Sequence, residues 1–255
     1  MQDEIEVLTP PIENHHPKIL TLRCPVRSFD IEEVVLANVD EVTKFVMQKR
    51  RDEHLSGRWL LAQALSMWDI SPDEIEVRRN QFRAPSLAFI HGIWKNTKLP
   101  SISIGHSEGW AYVALIENGW TIGIDGENKD RKIAENAFDM MASGEELENL
   151  RGNPDLAIQT WTAKESVQKA MRLGMNLNPR KIEFPIGVKK ANFSIENLNF
   201  QLVSWTHDDS HISLTWGEGI GYDSVPEDEL LEQTRLAMES STDWGVGCKT
   251  TRLNS

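Results

Sequence analysis

Residues 161–169 read WTAKESVQK and lie within a longer segment whose apolar residues recur with a helical period. On a helix, Ala163 and Val167 fall on one side, whereas Glu165 and Lys169 fall on the other. Taken alone, an acid four residues from a base also fits an ordinary surface ion pair. We therefore predict a helix with a core-facing side and an opposite side that presents an acid among bases.

A second acidic element lies upstream, where residues 122–127 read IGIDGE and end an apolar strand. Residues two apart on a strand face the same side, so Asp125 and Glu127 reach one ion if the strand continues to Glu127. Glu165 would complete the set from the helix. Three carboxylates without a nearby Cys or His favour a hard cation such as Mg²⁺. A calcium loop fits less well, because the EF-hand pattern needs a glycine where the chain has Asp130.

The composition limits the class of protein. The 255-residue chain is 40% apolar, enough to bury the core of one large domain or of two ordinary ones. Its net charge of −12 argues against general binding of nucleic acid, so a polyanionic ligand would need a local basic pocket. Cys24 and Cys248 fit neither a disulfide framework nor a zinc site. No apolar run approaches the roughly 20 residues that cross a bilayer, so we expect a soluble cytoplasmic protein with no membrane partner.

The N-terminal part of the chain mixes strand and helix patterns. Residues 1–18 have few apolar positions and no period, which predicts a loose leader. The elements predicted after it are a strand at 19–26, helices at 39–49 and 52–67, a strand at 74–79, a loop-like stretch up to position 100, and a strand at 101–105.

The second part repeats that order. Residues 110–117 and 120–125 are predicted to pair as a hairpin around Asn118-Gly119. The later predictions are helices at 131–141 and 144–150, strands at 181–187, 198–206 and 211–217, a helix at 226–238, and a tail at 239–255. The pattern predicts an α+β protein with two similar lobes, 19–119 and 120–238, each an antiparallel sheet with packed helices.

The run GHSEG at 105–109 matches the G-x-S-x-G nucleophile elbow of serine hydrolases. Residues 88–92 resemble an oxyanion loop, and His207 follows later in the chain. The elbow must turn from strand into helix, however, and residues 110–115 read as a strand. Too few residues separate positions 92 and 105 for the helix and strand that this fold needs between them. The hydrolase stays open as an alternative.

His207 and His211 frame the run HDDSH. Histidines four apart converge on a metal when they lie on one helix. Here they flank a turn between two predicted strands, so we interpret the run as a hairpin loop.

The acidic segments together resemble a known family. IGIDGE at 122–127 and WTAKESVQK at 161–169 are similar to the two signature motifs of 4′-phosphopantetheinyl transferases, and the second is the more specific because it fixes five positions together. Residues 105–107, GHS, and 82–85, FRAP, occupy the places of two further motifs of the larger, two-lobed class. The resemblance covers most of residues 40–220 and implies a pseudo-dimer of two α+β lobes.

The resemblance implies a reaction and its substrates. The family transfers the 4′-phosphopantetheine arm of coenzyme A to a serine of an acyl or peptidyl carrier protein, and 3′,5′-ADP is released. It implies that Asp125, Glu127 and Glu165 hold Mg²⁺ against the pyrophosphate, where charge grows as the P–O bond breaks. A general base is expected about 20 residues after Asp125. Glu145 and Glu146 are adjacent there, and we choose Glu146 because the run ELENL that begins at it fits the family pattern better.

Basic residues complete the implied site. The resemblance implies that Lys169 lies near the leaving phosphate, that Lys164 also faces the phosphates, and that His106 contacts the phosphates of the nucleotide. It also implies that Arg58 and Arg83 form the basic pocket for the 3′-phosphate that this acidic protein otherwise lacks.

Three residues depart from the family pattern. Gly105 replaces a serine, Phe82 replaces a glycine before the basic residue, and Gly126 replaces an aliphatic residue between the two acids. Gly126 is expected to weaken the strand by roughly 0.5 to 1 kcal/mol. None of these departures removes a predicted metal ligand. A non-catalytic module that binds coenzyme A or a carrier stays open as a second alternative, the carrier itself is not identified, and we expect a monomer.

Overall fold

The computed structural model describes residues 5–12, 16–93, 95–195 and 197–219. These residues fall within one compact unit, Met1–Tyr222. The predicted helix at 226–238 and the predicted tail lie outside the described residues. Antiparallel sheets and packed helices are present, so the predicted α+β class is confirmed.

Ten strands and five α-helices form the described fold. The strands are β1 (Glu6–Leu8), β2 (Ile19–Pro25), β3 (Ile75–Arg79), β4 (Pro85–Phe89), β5 (Ser101–Ser107), β6 (Trp110–Ile116), β7 (Trp120–Asn128), β8 (Lys190–Ile195), β9 (Leu198–His207) and β10 (Ser210–Glu218). The helices are α1 (Val39–Val42), α2 (Gln48–Met67), α3 (Phe138–Met141), α4 (Gly144–Gly152) and α5 (Ala157–Ala170). Short 3₁₀ helices lie at Ile31–Glu33, Pro72–Glu74, Glu135–Ala137, Pro154–Leu156, Gly174–Asn176 and Pro179–Lys181.

The first sheet has the order β1-β2-β6-β5, and all of its strand pairs are antiparallel. Alternate residues of β6 face opposite sides, because side chains alternate along a strand. Val113 and Leu115 pack with Leu61 and Leu65 of α2, which covers one face of the sheet. The other face packs against the second sheet.

The second sheet has the order β7-β10-β9-β8, again with antiparallel pairs. Ile122 and Ile124 of β7 pack with Ala114 and Ile116 of β6 in a core between the sheets. Helix α5 covers the opposite face. The layers therefore run from α2 through the two sheets to α5, and the alternation of β7 sends Asp125 and Glu127 to the α5 side.

A glycine in β7 lets α5 lie close to the strand. A Cβ atom at Gly123 would lie 1.9 Å from the carbonyl oxygen of Ser166 and 2.5 Å from the amide nitrogen of Ala170. Both are backbone atoms that cannot rotate away. On the inner face, a Cβ at Gly126 would lie 2.6 Å from Cζ of Tyr112, so the tyrosine ring fills the space of the aliphatic side chain that the family pattern has there.

The two sheets meet where β5 runs beside β7. The Ile124 amide donates a hydrogen bond of 3.0 Å to Oγ of Ser103. This arrangement contradicts the predicted hairpin around Asn118-Gly119, because β6 pairs with β2 and β5, whereas β7 pairs with β10. The turn sequence is local, but both edges of β6 are already occupied, so β7 passes into the other sheet.

Several other boundaries differ from the predictions. The loose leader contains β1, which pairs with β2, and the loop-like stretch contains β4, which pairs with β3. The predicted helix at 39–49 ends at Val42, and the one at 131–141 is helical only from Phe138 after a 3₁₀ turn. No strand forms at 181–187, and β8 begins at Lys190 instead. In these places tertiary pairing outweighs local pattern.

A buried arginine connects the sheets at the other end. Arg23 of β2 is 1% exposed, and it contacts Glu6 at 2.7 Å, Asp208 at 2.7 Å and Asp209 at 3.3 Å. Asp208 and Asp209 form the turn between β9 and β10, which confirms that HDDSH is a hairpin loop. No helix within the described ranges is long and apolar enough to span a membrane.

Candidate active site

The two strand acids lie side by side on one face of β7. The prediction that these two acids face the same side required the strand to reach Glu127, and β7 continues to Asn128. Asp125 and Glu127 are both buried. Helix α5 brings Lys169 to this face. Its Nζ atom lies 2.6 Å from Oδ1 of Asp125 and 3.1 Å from the carbonyl oxygen of Ile124.

The charges around Asp125 do not balance. Burial raises the pKa of Asp125 to about 7; Lys169 opposes this effect, and the carboxylates of Glu165 and Glu127 add to it. Burial tends to lower the pKa of Lys169, but Asp125 and Glu165 outweigh it and the pKa is raised. Three acids thus lie near one ammonium, and even with Arg131 beside Glu127 the cluster has an excess of negative charge.

Glu127 has two partners from outside the helix. Ser107, the last residue of β5, donates a short hydrogen bond to Oε2 of Glu127, and Nη1 of Arg131 lies 2.7 Å from the same oxygen. This contact gives Ser107 a structural role beside an acid.

The hydrolase alternative is contradicted by the backbone around Ser107. Residues 107–110 form a hairpin turn between β5 and β6, with φ values of 43° at Glu108 and 91° at Gly109. A nucleophile elbow requires a helix after the serine. The chain instead continues directly into a strand, so GHSEG is not an elbow.

The donor set of this cluster fits a hard cation. All three predicted ligands are carboxylates, and Oδ2 of Asp125 is buried with no hydrogen-bond partner among the described residues. Asp125, Glu127 and Glu165 do not, however, bring one oxygen each within 4.8 Å of one another; within the described ranges only Glu6, His207 and Asp208 do so. In this structure Lys169 contacts Asp125 and Arg131 contacts Glu127, and the three carboxylates would have to move closer together to share an ion.

A cationic cleft of about 450 Å³ lies beside the acids on the first sheet. It contains the predicted residues Arg58, Arg83 and His106. The residues that the sequence analysis missed are Arg50, His54 and Arg79. A signal for two of them was present, because positions 50, 54 and 58 are four apart and share one face of α2. Arg79, at the end of β3, carried no such signal.

The cleft carries unmet positive charge. Glu41 of α1 contacts Arg58 at 3.4 Å and Arg79 at 2.8 Å. Even so, burial and the neighbouring Arg79 lower the pKa of Arg58 to about 10, and burial together with Arg58 and Arg79 lowers the pKa of His54 to about 4. Nη1 of Arg58 and Nε2 of His54 are buried and make no hydrogen bond within the described part of the chain. Such a cluster is expected to bind an anion.

Lys169 and Gly105 bring the cleft and the acids together. A Cβ at Gly105 would lie 3.0 Å from Nζ of Lys169 and 3.9 Å from Oδ1 of Asp125. The next residue, His106, lines the cleft, and Lys169 is close enough to lower its pKa in addition to the larger effect of burial. The departure at Gly105 therefore makes room for the lysine.

Lys164 does not face the cleft as predicted. Its side chain is fully buried, and its Nζ atom lies 2.6 Å from Oε2 of Glu146 and 3.0 Å from the carbonyl oxygen of Pro179. Helix α5 is buried on more than one side, because Ser166 contacts Thr215 of the sheet, whereas Lys164 and Gln168 donate hydrogen bonds to the carbonyl oxygens of Pro179 and Leu177. The one-sided burial predicted for this helix is too simple. Burial raises the pKa of Glu146, although Lys164 opposes the shift.

A comparison with protein families gives a match for the second half of the chain. Residues 121–222 match the family model described as the 4′-phosphopantetheinyl transferase superfamily. The matched segment contains the three acids, Lys169 and the second sheet, whereas most of the cationic cleft precedes it. No curated protein matches the chain.

Proposed function

We propose that the protein transfers the phosphopantetheine arm of coenzyme A to an apo-carrier protein, and the match of residues 121–222 to the 4′-phosphopantetheinyl transferase superfamily model supports this proposal. The serine hydroxyl of the carrier attacks the β-phosphorus of the diphosphate. A new P–O bond forms to the carrier, the bond to the nucleotide breaks, the serine proton passes to a base, and 3′,5′-ADP leaves.

The contact between the two charged regions is the observation that carries this proposal. The cleft with Arg58, Arg79 and His106 has unmet positive charge, and the cluster with Asp125 has excess negative charge. A nucleotide diphosphate with a divalent cation satisfies both, because its phosphates suit the arginines and its cation suits the carboxylates.

Each region has a role in the reaction. Arg58, Arg79 and Arg83 would bind the 3′-phosphate and, with His106, hold the nucleotide in one orientation. Asp125, Glu127 and Glu165 would hold Mg²⁺, which supplies charge stabilisation at the diphosphate. Lys169 would break its ion pair with Asp125 and contact an oxygen of the leaving phosphate instead. There its ammonium would stabilise the negative charge that grows as the bond breaks.

Glu146 remains our predicted base, and its raised pKa suits that role. In this structure its carboxylate neutralises the buried Lys164, so it would have to exchange that contact for the serine hydroxyl. Glu146→Gln should lower the turnover number and remove the acidic limb of the pH–rate profile. An unchanged acidic limb would assign the proton transfer to another group.

The direct test is an assay of transfer. Purified protein is incubated with coenzyme A, Mg²⁺ and a panel of fatty-acid, polyketide and nonribosomal-peptide apo-carriers, and the carriers are weighed by mass spectrometry. We expect at least one carrier to gain the mass of the arm, and a chelator should prevent the gain. Binding of coenzyme A without any modified carrier would favour the non-catalytic binding module instead.

A further inference from the structure

A buried carboxylate lies at the wall of the cationic cleft. Glu53 of α2 is 4% exposed, and its Oε2 atom lies 3.0 Å from Nη1 of Arg50 and 3.5 Å from Nδ1 of His106. A buried acid in a site that binds an anion repels the ligand and loses its own hydration. Its presence at this position therefore needs a compensating role.

The position of Glu53 determines which nitrogen of His106 is available. The carboxylate lies on the Nδ1 side of the imidazole, and Nε2 is on the opposite side of the ring. A carboxylate at one ring nitrogen fixes the orientation of the ring and makes the other nitrogen the free one. His106 lines the cleft and keeps 38% of its side chain exposed, so Nε2 is free to meet a ligand.

Glu53 also supports the charge of His106. Burial lowers the pKa of His106, and Lys169 and Arg50 lower it further, whereas Glu53 raises it. A protonated imidazole donates from both nitrogens and binds a phosphate more strongly than a neutral one. Without Glu53, burial, Lys169 and Arg50 would all favour the neutral ring. Only the backbone hydrogen bond of His106 would then favour the charged ring.

We propose that Glu53 is a positioning residue for coenzyme A: its carboxylate lies against Nδ1 and favours the protonated imidazole of His106, so that Nε2–H donates a hydrogen bond to a phosphate of the nucleotide. This inference rests on the proposed function and adds a residue that does not itself touch the substrate. The second acid of the cleft differs in its partners. Glu41 contacts Arg58, Arg79 and His54, so the two carboxylates serve separate parts of the site.

A double-mutant cycle tests the coupling between Glu53 and His106. The variants are Glu53→Gln, His106→Ala and the combination, and the readouts are the dissociation constant of 3′,5′-ADP by calorimetry and the KM and kcat of transfer. Glu53→Gln should raise the dissociation constant and the KM for coenzyme A about tenfold, as expected for loss of a charge-assisted hydrogen bond, and change kcat less than about twofold. In the His106→Ala background, the same substitution should not weaken binding any further.

Glu41→Gln is the matched control, because it removes the other carboxylate of the same cleft. Its effect on 3′,5′-ADP binding should add to that of His106→Ala. If Glu53→Gln also adds to His106→Ala, or lowers kcat at unchanged KM, the positioning role is wrong. Should Glu53→Gln not fold, Glu53→Asp keeps the charge and withdraws the carboxylate from Nδ1, and its binding constant decides in the same way.

The binding measurement separates this inference from the proposed function. If Glu53→Gln leaves the dissociation constant of 3′,5′-ADP and the KM for coenzyme A unchanged, the role of Glu53 alone is contradicted. A wild-type protein that binds neither coenzyme A nor 3′,5′-ADP would contradict the proposed function itself, and the inference with it.

Discussion

The two halves of the molecule present opposite charges to a common junction. The half that contains α2 and the first sheet supplies arginines and histidines, and the half that contains β7 and α5 supplies carboxylates. In the first half, burial and the neighbouring Arg79 lower the pKa of Arg58 to about 10, and in the second, burial together with Glu165 and Glu127 raises the pKa of Asp125 to about 7. Each half is thus short of the charge that a ligand with phosphates and a cation would bring.

The acidic and the basic side chains are also brought together in different ways. The acids come from one strand and one helix that are close in the chain. The cations come from α2, from the end of β3, from the turn after it and from β5, and only packing brings them together. Substitutions in the two halves should therefore have different effects on catalysis, stability and affinity. Four experiments test this expectation, from the largest expected effect to the smallest.

The acid half should be essential to chemistry. Glu165→Gln is expected to lower kcat by roughly 10² to 10³, because it removes one of the charges that would hold the cation. Ser107→Ala removes only the hydrogen bond to Glu127, and its loss should be at least about ten times smaller. Initial rates of carrier modification at saturating coenzyme A measure both. Equal losses would reopen a direct role for Ser107.

The acid half should also depend on the close approach of α5 to β7. Gly123→Ala places a Cβ 1.9 Å from the carbonyl oxygen of Ser166, so we expect a loss of about 3 kcal/mol in the free energy of unfolding. Gly152→Ala is the matched control at the end of α4, where no atom lies within 4 Å of the added Cβ. The control should be neutral or more stable by about 0.5 to 1 kcal/mol. Urea unfolding distinguishes the two, and equal stabilities would contradict the packing.

Two histidines allow the halves to be compared by pH. Burial alone lowers the pKa of His211 to about 4 in the acid half, whereas burial together with Arg58 and Arg79 lowers that of His54 to about 4 in the basic half. Because the pKa in the folded state is below the unfolded value of about 6.5, the histidine of the unfolded state is protonated at a higher pH than that of the folded state. The stability from each group is therefore complete above pH of about 6.5 and is lost as the pH falls toward 4, by up to about 2 kcal/mol between pH 7 and 5.

Removal of one histidine should reduce that slope, and His211→Gln tests it by urea unfolding at a series of pH values. Adding 3′,5′-ADP should raise the pKa of His54 in an NMR titration, because the phosphates offset Arg58 and Arg79. The pKa of His211 should not move. If the ligand shifts the pKa of His211 and not that of His54, the anion binds in the acid half, and the predicted binding site in the basic half is wrong.

The basic half should govern affinity. Arg79→Ala is expected to raise the KM for coenzyme A about tenfold, with kcat nearly unchanged, because one charged contact to a phosphate is lost. Dephospho-coenzyme A lacks the 3′-phosphate and should show a much smaller change. Arg78→Ala, on the neighbouring residue that pairs with Glu76 instead, is the control. A similar loss for both substrates would assign Arg79 to a different phosphate.

The acid half was predictable in part. The alternation of β7 puts Asp125 and Glu127 on one side of the strand, and the helical period of 161–169 puts Glu165 and Lys169 on one side of the helix. The packing of α5 on β7, which brings Lys169 to Asp125, is tertiary, and the three carboxylates do not converge in this structure. Lys164 was misplaced for a physical reason: helical spacing says which residues share a face, but not how many faces are covered. Residues 177–184 cover a second face of α5, and this contact buries Lys164 against Glu146.

The basic half was predictable only in part. Arg58, Arg83 and His106 came from the resemblance, whereas Arg79 and His54 are in the cleft because α2 and β4, the partner strand of β3, pack beside β5. Glu41, which compensates Arg58 and Arg79, lies on a helix much shorter than the sequence pattern indicated.

The sequence by itself determined the class of the fold and the order of charges along the two motifs, because strand and helix periods are local properties of the chain. Only the tertiary structure decided that β6 and β7 belong to different sheets, that Gly105 makes room for Lys169, and that Glu53 faces His106. These contacts join residues far apart in the chain. They form because the apolar faces of the two sheets bury each other. A local sequence pattern does not specify which distant segments of the chain come into contact.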